Sequence, residues 1–339
     1  VAERSRTVLL AHGSGGQLSH ELVQEVFLRH FRNPVLASLD DAATLTLPGT
    51  RLAFTTDSYV ISPLFFPGGD IGKLAVCGTV NDLAVSGARP LYLSAGFILE
   101  EGLPLETLER VVASMAETAR AAGVEVVAGD TKVVDHGSAD GLFINTAGIG
   151  LVPEDLCLTP QNLRPGDVLL VSGTIGDHGM AVMMQREGLA FQSALVSDCA
   201  PLNGLIQGVL SACGSAVRCM RDPTRGGLAT TLNEWAQAAG VGIEAEEAAI
   251  PVREEVRAAC EFLGLDPLYV ANEGKVLVAV APEAAERALA ALRAHPLGRE
   301  AAHIGRVTEE HPRRVVLRTP FGARRVVEML AGAQLPRIC

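Results

Sequence analysis

The sequence predicts an α/β protein of two domains, on three observations. Short apolar runs bounded by turn residues alternate with stretches of helical periodicity along most of the chain. At 339 residues the chain is long for one hydrophobic core. Between Val152 and Gly166, Pro153, Pro160 and Pro165 interrupt both periodicities, which predicts a boundary there. The expected division is a first domain over 1–155, a second over 156–318 and a tail over 319–339.

In the first domain, Leu52–Thr56, Tyr92–Ile98, Val124–Ala128 and Phe143–Ile149 are expected as strands, each apolar and flanked by turn residues. Between the second and third of these, Leu105, Leu108, Val112, Met115 and Ala119 step by three and four, which predicts a helix with one apolar face. Pro104 suits its first turn and Gly123 its stop. In the second domain, Val168–Ser172, Ile243–Glu244, Val276–Ala281 and Val315–Leu317 are expected as strands. Helices are expected over Gly226–Ala239, Arg253–Leu263 and Glu283–His295. From about Thr319 no packing pattern survives, and the chain closes on a cysteine.

Composition excludes several classes of function. Hydrophobic residues make up 48% of the chain and mean hydropathy is +0.27, enough for buried cores and too much for a disordered chain. Lys and Arg total 28 against 39 Asp and Glu, and this net charge of −11 argues against a nucleic-acid partner. No apolar run approaches the ~18–20 residues of a membrane helix. Val8–Ala11 is too short for a secretory core. Seven cysteines without a CxxC pair fit neither a disulfide framework nor a zinc site. A soluble, cytoplasmic protein is expected.

The candidate chemistry lies in acidic and glycine-rich stretches. Asp40, Asp41, Asp57, Asp82, Asp130 and Asp222 all fall beside strand or loop ends. Each alone is more simply a cap or turn residue, yet carboxylates at strand ends can converge on a cleft that holds magnesium and a nucleotide. His12–Gly16 suits either a phosphate cradle or a plain surface loop, and it matches neither a Walker nor a dinucleotide pattern. Asp222–Gly227 is the stronger anion site, with an acid, Arg225 and two glycines just ahead of a helical stretch. Lys132 lies two residues from Asp130 on one strand side, where a surface ion pair is the simpler outcome. Glu273 falls in Asn272–Lys275, which on its own suggests a turn, and His136 and His178 carry no assignment. Cys339, the last residue, has no packing role in sight. Gly332 to Cys339, extended, would reach roughly 25 Å, enough to deliver the sulfur into a cleft. Its own α-carboxylate should raise the thiol pKa, so the thiol suits an acceptor more than a self-activated nucleophile. The other six cysteines are expected to be buried and inert.

These motifs together resemble the HypE family of hydrogenase maturation factors. The resemblance rests on His12-Gly-Ser-Gly-Gly-Gln17, Thr56-Asp-Ser-Tyr-Val60, Phe65-Phe-Pro-Gly-Gly69, Asn81-Asp-Leu-Ala-Val-Ser-Gly87, Gly129-Asp-Thr-Lys-Val-Val134, Asp222-Pro-Thr-Arg-Gly-Gly227, Ala271-Asn-Glu-Gly-Lys275 and the terminal Pro336-Arg-Ile-Cys339. It covers essentially the whole chain. The nucleotide-site motifs are shared with aminoimidazole ribonucleotide synthetase, selenophosphate synthetase and thiamine-monophosphate kinase, and the terminal motif separates HypE from them.

The resemblance implies a two-domain aminoimidazole ribonucleotide synthetase-like fold. The N-terminal domain would form a β-barrel-like interface across a homodimer, and the C-terminal domain would be an α/β sandwich. It also implies ATP and Mg²⁺ as cofactors. HypF would be the carbamoyl donor to Cys339, the S-carboxamide would be dehydrated to a thiocyanate, and the cyanide would pass to the HypC–HypD complex for the iron of [NiFe]-hydrogenase. By the same resemblance Asp41, Asp57, Asp82, Asp130 and Asp222 would bind the metal. Gly15, Gly16, Asp57, Asn81, Asp82, Asp130, Thr224, Arg225, Gly226 and Gly227 would bind ATP. Cys339 would carry the substrate group, Glu273 would be the base, and Lys132 would contact the transferring phosphate or the amide. A phosphotransferase acting on a free small molecule and a non-catalytic carrier are the rival readings. The terminal cysteine argues against the first and the acidic motifs against the second.

Overall fold

The computed structural model describes residues 16–24, 36–188, 195–332, 335 and 337–339. Gly15, with the rest of 12–15, and Pro336 lie outside the described residues. After a short helix α1 (Gln17–Leu22), the first half contains β1 (Ala43–Leu47), β2 (Thr50–Tyr59), β3 (Phe65–Phe66), β4 (Gly69–Asp70), α2 (Ile71–Val85), β5 (Arg89–Glu100), α3 (Leu105–Ala122), β6 (Glu125–Val134) and β7 (Leu142–Leu151). The second half contains β8 (Val168–Val171), α4 (Asp177–Arg186), α5 (Asn203–Cys213), β9 (Val217–Arg221), α6 (Gly227–Ala239), β10 (Gly242–Glu246), α7 (Glu254–Leu263), β11 (Leu277–Val280), α8 (Ala285–Ala294), β12 (Ala302–Thr308), β13 (Val315–Arg318) and β14 (Arg324–Val327).

The first half forms a five-stranded sheet in the order β1-β2-β7-β5-β6, antiparallel except for the parallel pair β5 and β6. That parallel pair needs a crossover, and α3 supplies it. The sheet is open at β1 and β6, so a closed barrel is not formed within one chain's described residues. Nine of the ten residues of β6 are exposed, and Val126, Val127 and Val133 are among the exposed large apolar side chains. A long edge strand of this kind calls for a cover.

Helix α3 begins after Pro104 and stops at Gly123, whose φ of 70° is the left-handed cap that glycine accepts without strain. Its buried face is Val111, Met115, Thr118, Ala119 and Ala122. The expected face was offset: Leu105 and Val112 lie in solvent. Both stripes have helical spacing, and the one centred on Met115 and Ala119 meets the core, where it packs against Leu74 and Val76 of α2.

Helix α2 escaped the periodicity reading, and the reason is its place. Thirteen of its residues are buried. Its early turns pack into the core of the first half with Tyr59, Leu93 and Ile144, while Ala84 and Val85 join Leu202, Leu205, Ile206 and Val209 of the second half. A helix apolar on all sides has no amphipathic signal to detect. Asp70 caps it, accepting from the N–H groups of Gly72 and Lys73 at 2.7 and 3.2 Å.

The second half forms a seven-stranded sheet ordered β14-β13-β10-β12-β8-β11-β9. Alternate residues of its central strands enter two cores. Leu169, Val171, Leu277 and Ala279 pack with Leu228, Leu232 and Trp235 of α6, whereas Leu170, Val278 and Val280 pack with α5 and α8. Burial on both faces is why these strands are continuous apolar runs. The expected tail over 319–339 is not unstructured throughout. β14 pairs antiparallel with β13, and both Val327 and Ile338 are buried.

Asn81 of α2 fastens the halves together. Its amide donates to the carbonyls of Ala200 and Glu273 at 3.2 and 3.3 Å, and its side-chain oxygen accepts from Leu202 N–H at 2.8 Å, all without solvent exposure. Substituting Asn81→Ala strands three buried main-chain groups and should cost about 3 kcal/mol. A urea midpoint unchanged from wild type would show that this contact does not hold the halves.

Candidate active site

Three carboxylates converge where the two sheets meet. Asp41 lies two residues before β1, Asp82 lies in the last turn of α2, and Asp222 follows β9 directly. One oxygen from each lies within 4.8 Å of the others, which suits a divalent cation. Thr55 Oγ1 lies 3.0 Å from an Asp82 carboxyl oxygen and 2.9 Å from the Asp41 carbonyl, its single proton shared between them, and so ties two of the three to β2. Arg221 bonds Asp41 at 2.8 Å and Glu234 at 3.1 Å. Burial and mutual repulsion push all three acids up. Asp41 is raised to about 6 and Asp222 to about 7, burial being the main cause and Arg221 opposing it, while Asp82 lies well above its ordinary range. The negative charge gathered here exceeds what the chain's own cations offset, so the donor set fits a metal ion.

Asp57 on β2 stands close enough to raise the carboxyls of Asp82, Asp222 and Glu273, and it does not join the three oxygens that meet. Asp130 and Lys132 stand apart from the cluster. They pair with each other at 2.7 Å on the exposed strand β6, each side chain 70% exposed, and Lys132 pulls the Asp130 carboxyl down. Asn81, expected at the nucleotide, has its amide engaged by the second half's backbone, so in this chain its observed work is positioning.

The Asp222–Gly227 turn is built tightly. Thr224 N–H donates to the Asp222 carbonyl and Gly227 N–H to the Thr224 carbonyl, both at 2.9 Å. Gly226 and Gly227 have φ of 80° and 60°. A Cβ on Gly227 would lie 2.6 Å from the Leu268 carbonyl and 2.7 Å from that of Val270. Glycine is thus needed there for close packing against the segment that leads to Glu273. Gly16 has a comparable constraint, since its Cβ would collide with the Leu330 carbonyl. Asn272, which the sequence reading passed over as part of a turn, joins the pieces. It donates to Pro223 O at 2.8 Å and accepts from Gly176 N–H at 2.7 Å, wholly buried.

Glu273 is 2% exposed, and burial first, then the charges of Cys199, Asp222 and Asp57, raise its carboxyl well above the ordinary range. Asp198 accepts from Glu273 N–H at 3.1 Å and from Lys275 Nζ at 3.1 Å, and Lys275 holds its carboxyl low despite burial. No signal in the sequence flanking Asp198 points to this role.

The chain terminus is docked, not loose. Val60 N–H donates to the Cys339 carbonyl at 3.1 Å, Arg186 Nη2 to the Arg337 carbonyl at 2.8 Å, and His178 Nε2 lies 2.8 Å from the Ile338 carbonyl. Arg337 pairs with Asp140 at 2.6 Å. The Cys339 thiol is pushed up to about 12, chiefly by burial, with Glu273 and Asp57 adding and Arg225 opposing. The raised value matches the expected direction, but burial is the leading cause. Arg225, Glu273 and Asp57 are thus near enough to act on the thiol electrostatically.

The carboxylate cluster has a pH signature. A carboxyl raised in the folded state binds a proton that the unfolded chain has lost, so the metal-free protein loses stability as pH rises from about 4 to about 7. The Asp222→Asn variant should be more stable than wild type at pH 8 without metal, by roughly 1 kcal/mol or more. Mg²⁺ should raise the melting temperature of wild type at that pH and leave the variant's unchanged. Thermal melts with and without the cation check both, and a variant less stable than wild type at pH 8 would remove the repulsion argument.

Comparison with known proteins agrees with this architecture. The N-terminal domain of AIR synthase related proteins matches residues 39–152 and the C-terminal domain matches residues 164–318. Carbamoyl dehydratase HypE of Azotobacter vinelandii is 58% identical over 336 residues, 99% of this chain and 98% of the relative. A crystal structure of a HypE–HypF complex aligns with a TM-score of 0.87 at 51% identity, covering 91% of this chain and 99% of that one. A hydrogenase maturation protein HypE crystallised with ATP aligns at 0.83 and 53% identity, covering 98% of this chain and 100% of that one. With both domains matched in order and identity above half over nearly the full length, the chain belongs to the HypE carbamoyl dehydratase family of hydrogenase maturation enzymes.

Proposed function

We propose that the chain dehydrates an S-carboxamide on its own Cys339 to a thiocyanate at the expense of ATP, and so supplies the cyanide ligand of a [NiFe]-hydrogenase iron. The observation that supports this reading is the docked terminus, with the Cys339 thiol within electrostatic reach of Glu273 and Arg225 in a protein that also gathers a metal-suited carboxylate cluster. The ATP-bound HypE relative supports nucleotide use here.

An amide oxygen is a poor leaving group. Bound Mg-ATP supplies the phosphoryl group that makes it a good one. Asp41, Asp82 and Asp222 would hold the metal, with Asp57 close by, and the Thr224–Gly227 turn would face the phosphates. Arg225, next to the terminus, offsets negative charge that builds on the amide oxygen and phosphoryl oxygens. Glu273 takes a proton from the amide nitrogen as the C–O bond to phosphate breaks and the C≡N bond completes. The net change converts carboxamide and ATP to thiocyanate, ADP and inorganic phosphate.

The exposed edge of β6 supports a homodimer, in which a second copy covers Val126, Val127 and Val133. Asp130 and Lys132 stand on that same strand, so in this reading they complete the nucleotide and amide contacts at the shared boundary. The HypE–HypF structure supports HypF as carbamoyl donor. The cyanide would leave to a HypC–HypD acceptor. No described helix is long and apolar enough to cross a membrane, and the seven cysteines are unbridged, in keeping with the cytoplasm.

The test is the mass of the C-terminal peptide after incubation with HypF, carbamoyl phosphate and Mg-ATP. A carbamoyl adduct on Cys339 that loses one water only with ATP is expected. The Glu273→Gln variant should accumulate the adduct and lose water about 10²–10⁴-fold more slowly. An adduct that never loses water would leave a carrier, and steady ATP turnover with a bare Cys339 would point to a free small-molecule substrate.

A further inference from the structure

We infer that His178, which the reaction above does not use, is a positioning residue: its neutral imidazole latches the chain terminus into the cleft through the Ile338 carbonyl, with Ser197 fixing the tautomer that makes the latch. This rests on the proposed function only for its purpose, since the latch itself is a matter of geometry.

His178 is the second residue of α4 and has no exposed surface. Its Nε2 lies 2.8 Å from the Ile338 carbonyl and its Nδ1 2.8 Å from Ser197 Oγ. A carbonyl can only accept, so Nε2 carries the proton. In a neutral ring Nδ1 is then an acceptor and takes the Ser197 hydroxyl proton. Ser197 Oγ in turn accepts from Cys199 N–H at 3.0 Å, which leaves its own proton free to point at the ring. The relay is closed at both ends and each atom has one consistent role.

The ring is kept neutral by its surroundings. Burial lowers its pKa, and the N-terminal turn of α4 disfavours a cation as well; the nearby Asp198 carboxylate and the hydrogen bond to the Ile338 carbonyl work the other way and are outweighed. Phe66 packs edge-on at 5.4 Å and holds the ring plane. The latch grips main chain, one residue before the reactive cysteine, so it does not depend on what the sulfur carries. Val60 and Arg186 hold the carbonyls on either side of it, of Cys339 and Arg337. Ser62 N–H reaches the Arg337 carbonyl at 3.4 Å and Arg337 Nε donates to the Val60 carbonyl at 2.9 Å; among these holds the imidazole is fully buried and is itself fixed by a second side chain.

The test is the iodoacetamide alkylation rate of Cys339 in the full chain, measured by peptide mass against the exposed Cys157 as an internal reference. His178→Phe fills the space without a donor and should raise the relative rate about tenfold, the effect of one lost buried hydrogen bond on the undocked population. His178→Gln restores a neutral donor and should bring the rate back to within about threefold of wild type. Ser197→Ala, which frees the tautomer, should fall between. In the HypF-coupled assay, loss of water from the adduct should slow in His178→Phe and recover in His178→Gln. Unchanged Cys339 alkylation in His178→Phe would overturn the latch, and should that variant not fold, an unchanged rate in Ser197→Ala would overturn it equally. If wild type never dehydrates its adduct while the alkylation differences persist, the dehydratase reading fails and the latch stands.

Discussion

Negative charge held at one point governs the rest of this molecule. Asp41, Asp82 and Asp222 come from a loop, a helix and a strand end, and burying one oxygen of each within 4.8 Å of the others costs desolvation first and repulsion second, which the raised carboxyl pKa values record. Arg221 relieves part of it through Asp41, but Glu234 claims its other nitrogen. A protein keeps such a cluster only where something else fixes the backbone. Here that is the doubly buried helix α2 and the amide of Asn81, which lock the first half against the second and leave the carboxylates nowhere to relax. The repulsion remains in place for a cation to relieve.

The same joint receives the chain terminus. The halves meet along α2, and the segment after β2 continues past Val60 as a ledge to which the last residues attach through main-chain hydrogen bonds. Because the holds are on carbonyls, the side chain of Cys339 is free to be the variable part. Ile338 supplies apolar burial that helps seat the terminus, and Arg337 meets Asp140 at the rim.

Much of this was legible in the sequence and some could not be. The central strands of the second sheet stood out as apolar runs because both their faces are buried. The stop of α3 at Gly123 was legible because a left-handed cap leaves a glycine behind. The buried face of α3 was misplaced because its sequence carries two overlapping stripes, and only the packing selects between them. Helix α2 gave no periodic signal, being apolar on every side. Each of the clustered aspartates was legible as a candidate, but that three converge while Asp130 stands on an outer strand is a property of topology, which no local pattern carries. His178 and Asp198 lie in unremarkable flanks, and their roles follow from what folds against them. The terminal cysteine was legible by position alone; its docking was not, since a short segment held by main-chain contacts leaves little trace in residue type.

The pKa of the docked thiol bears on how such a site divides its work. With its pKa pushed up to about 12, the docked and partly exposed Cys339 holds little thiolate near neutral pH, and the thiolate is the nucleophilic form of the group. In solvent the same group would return toward its ordinary range of about 8.5, a gain of roughly three powers of ten in thiolate. In the proposed reaction, loading would therefore belong to the undocked terminus, where thiolate is more abundant. Once the sulfur carries a neutral carboxamide it has no charge to desolvate, so the penalty that burial places on the thiolate no longer applies. In that reading the cleft would hold the loaded group without the cost of burying a thiolate, its amide needing only hydrogen-bond partners, and Glu273 would receive the proton of its nitrogen. Under the proposed function, burial would thus act as a filter that disfavours the bare thiolate inside more than the neutral substrate form, with undocking and docking of the terminus separating transfer from dehydration.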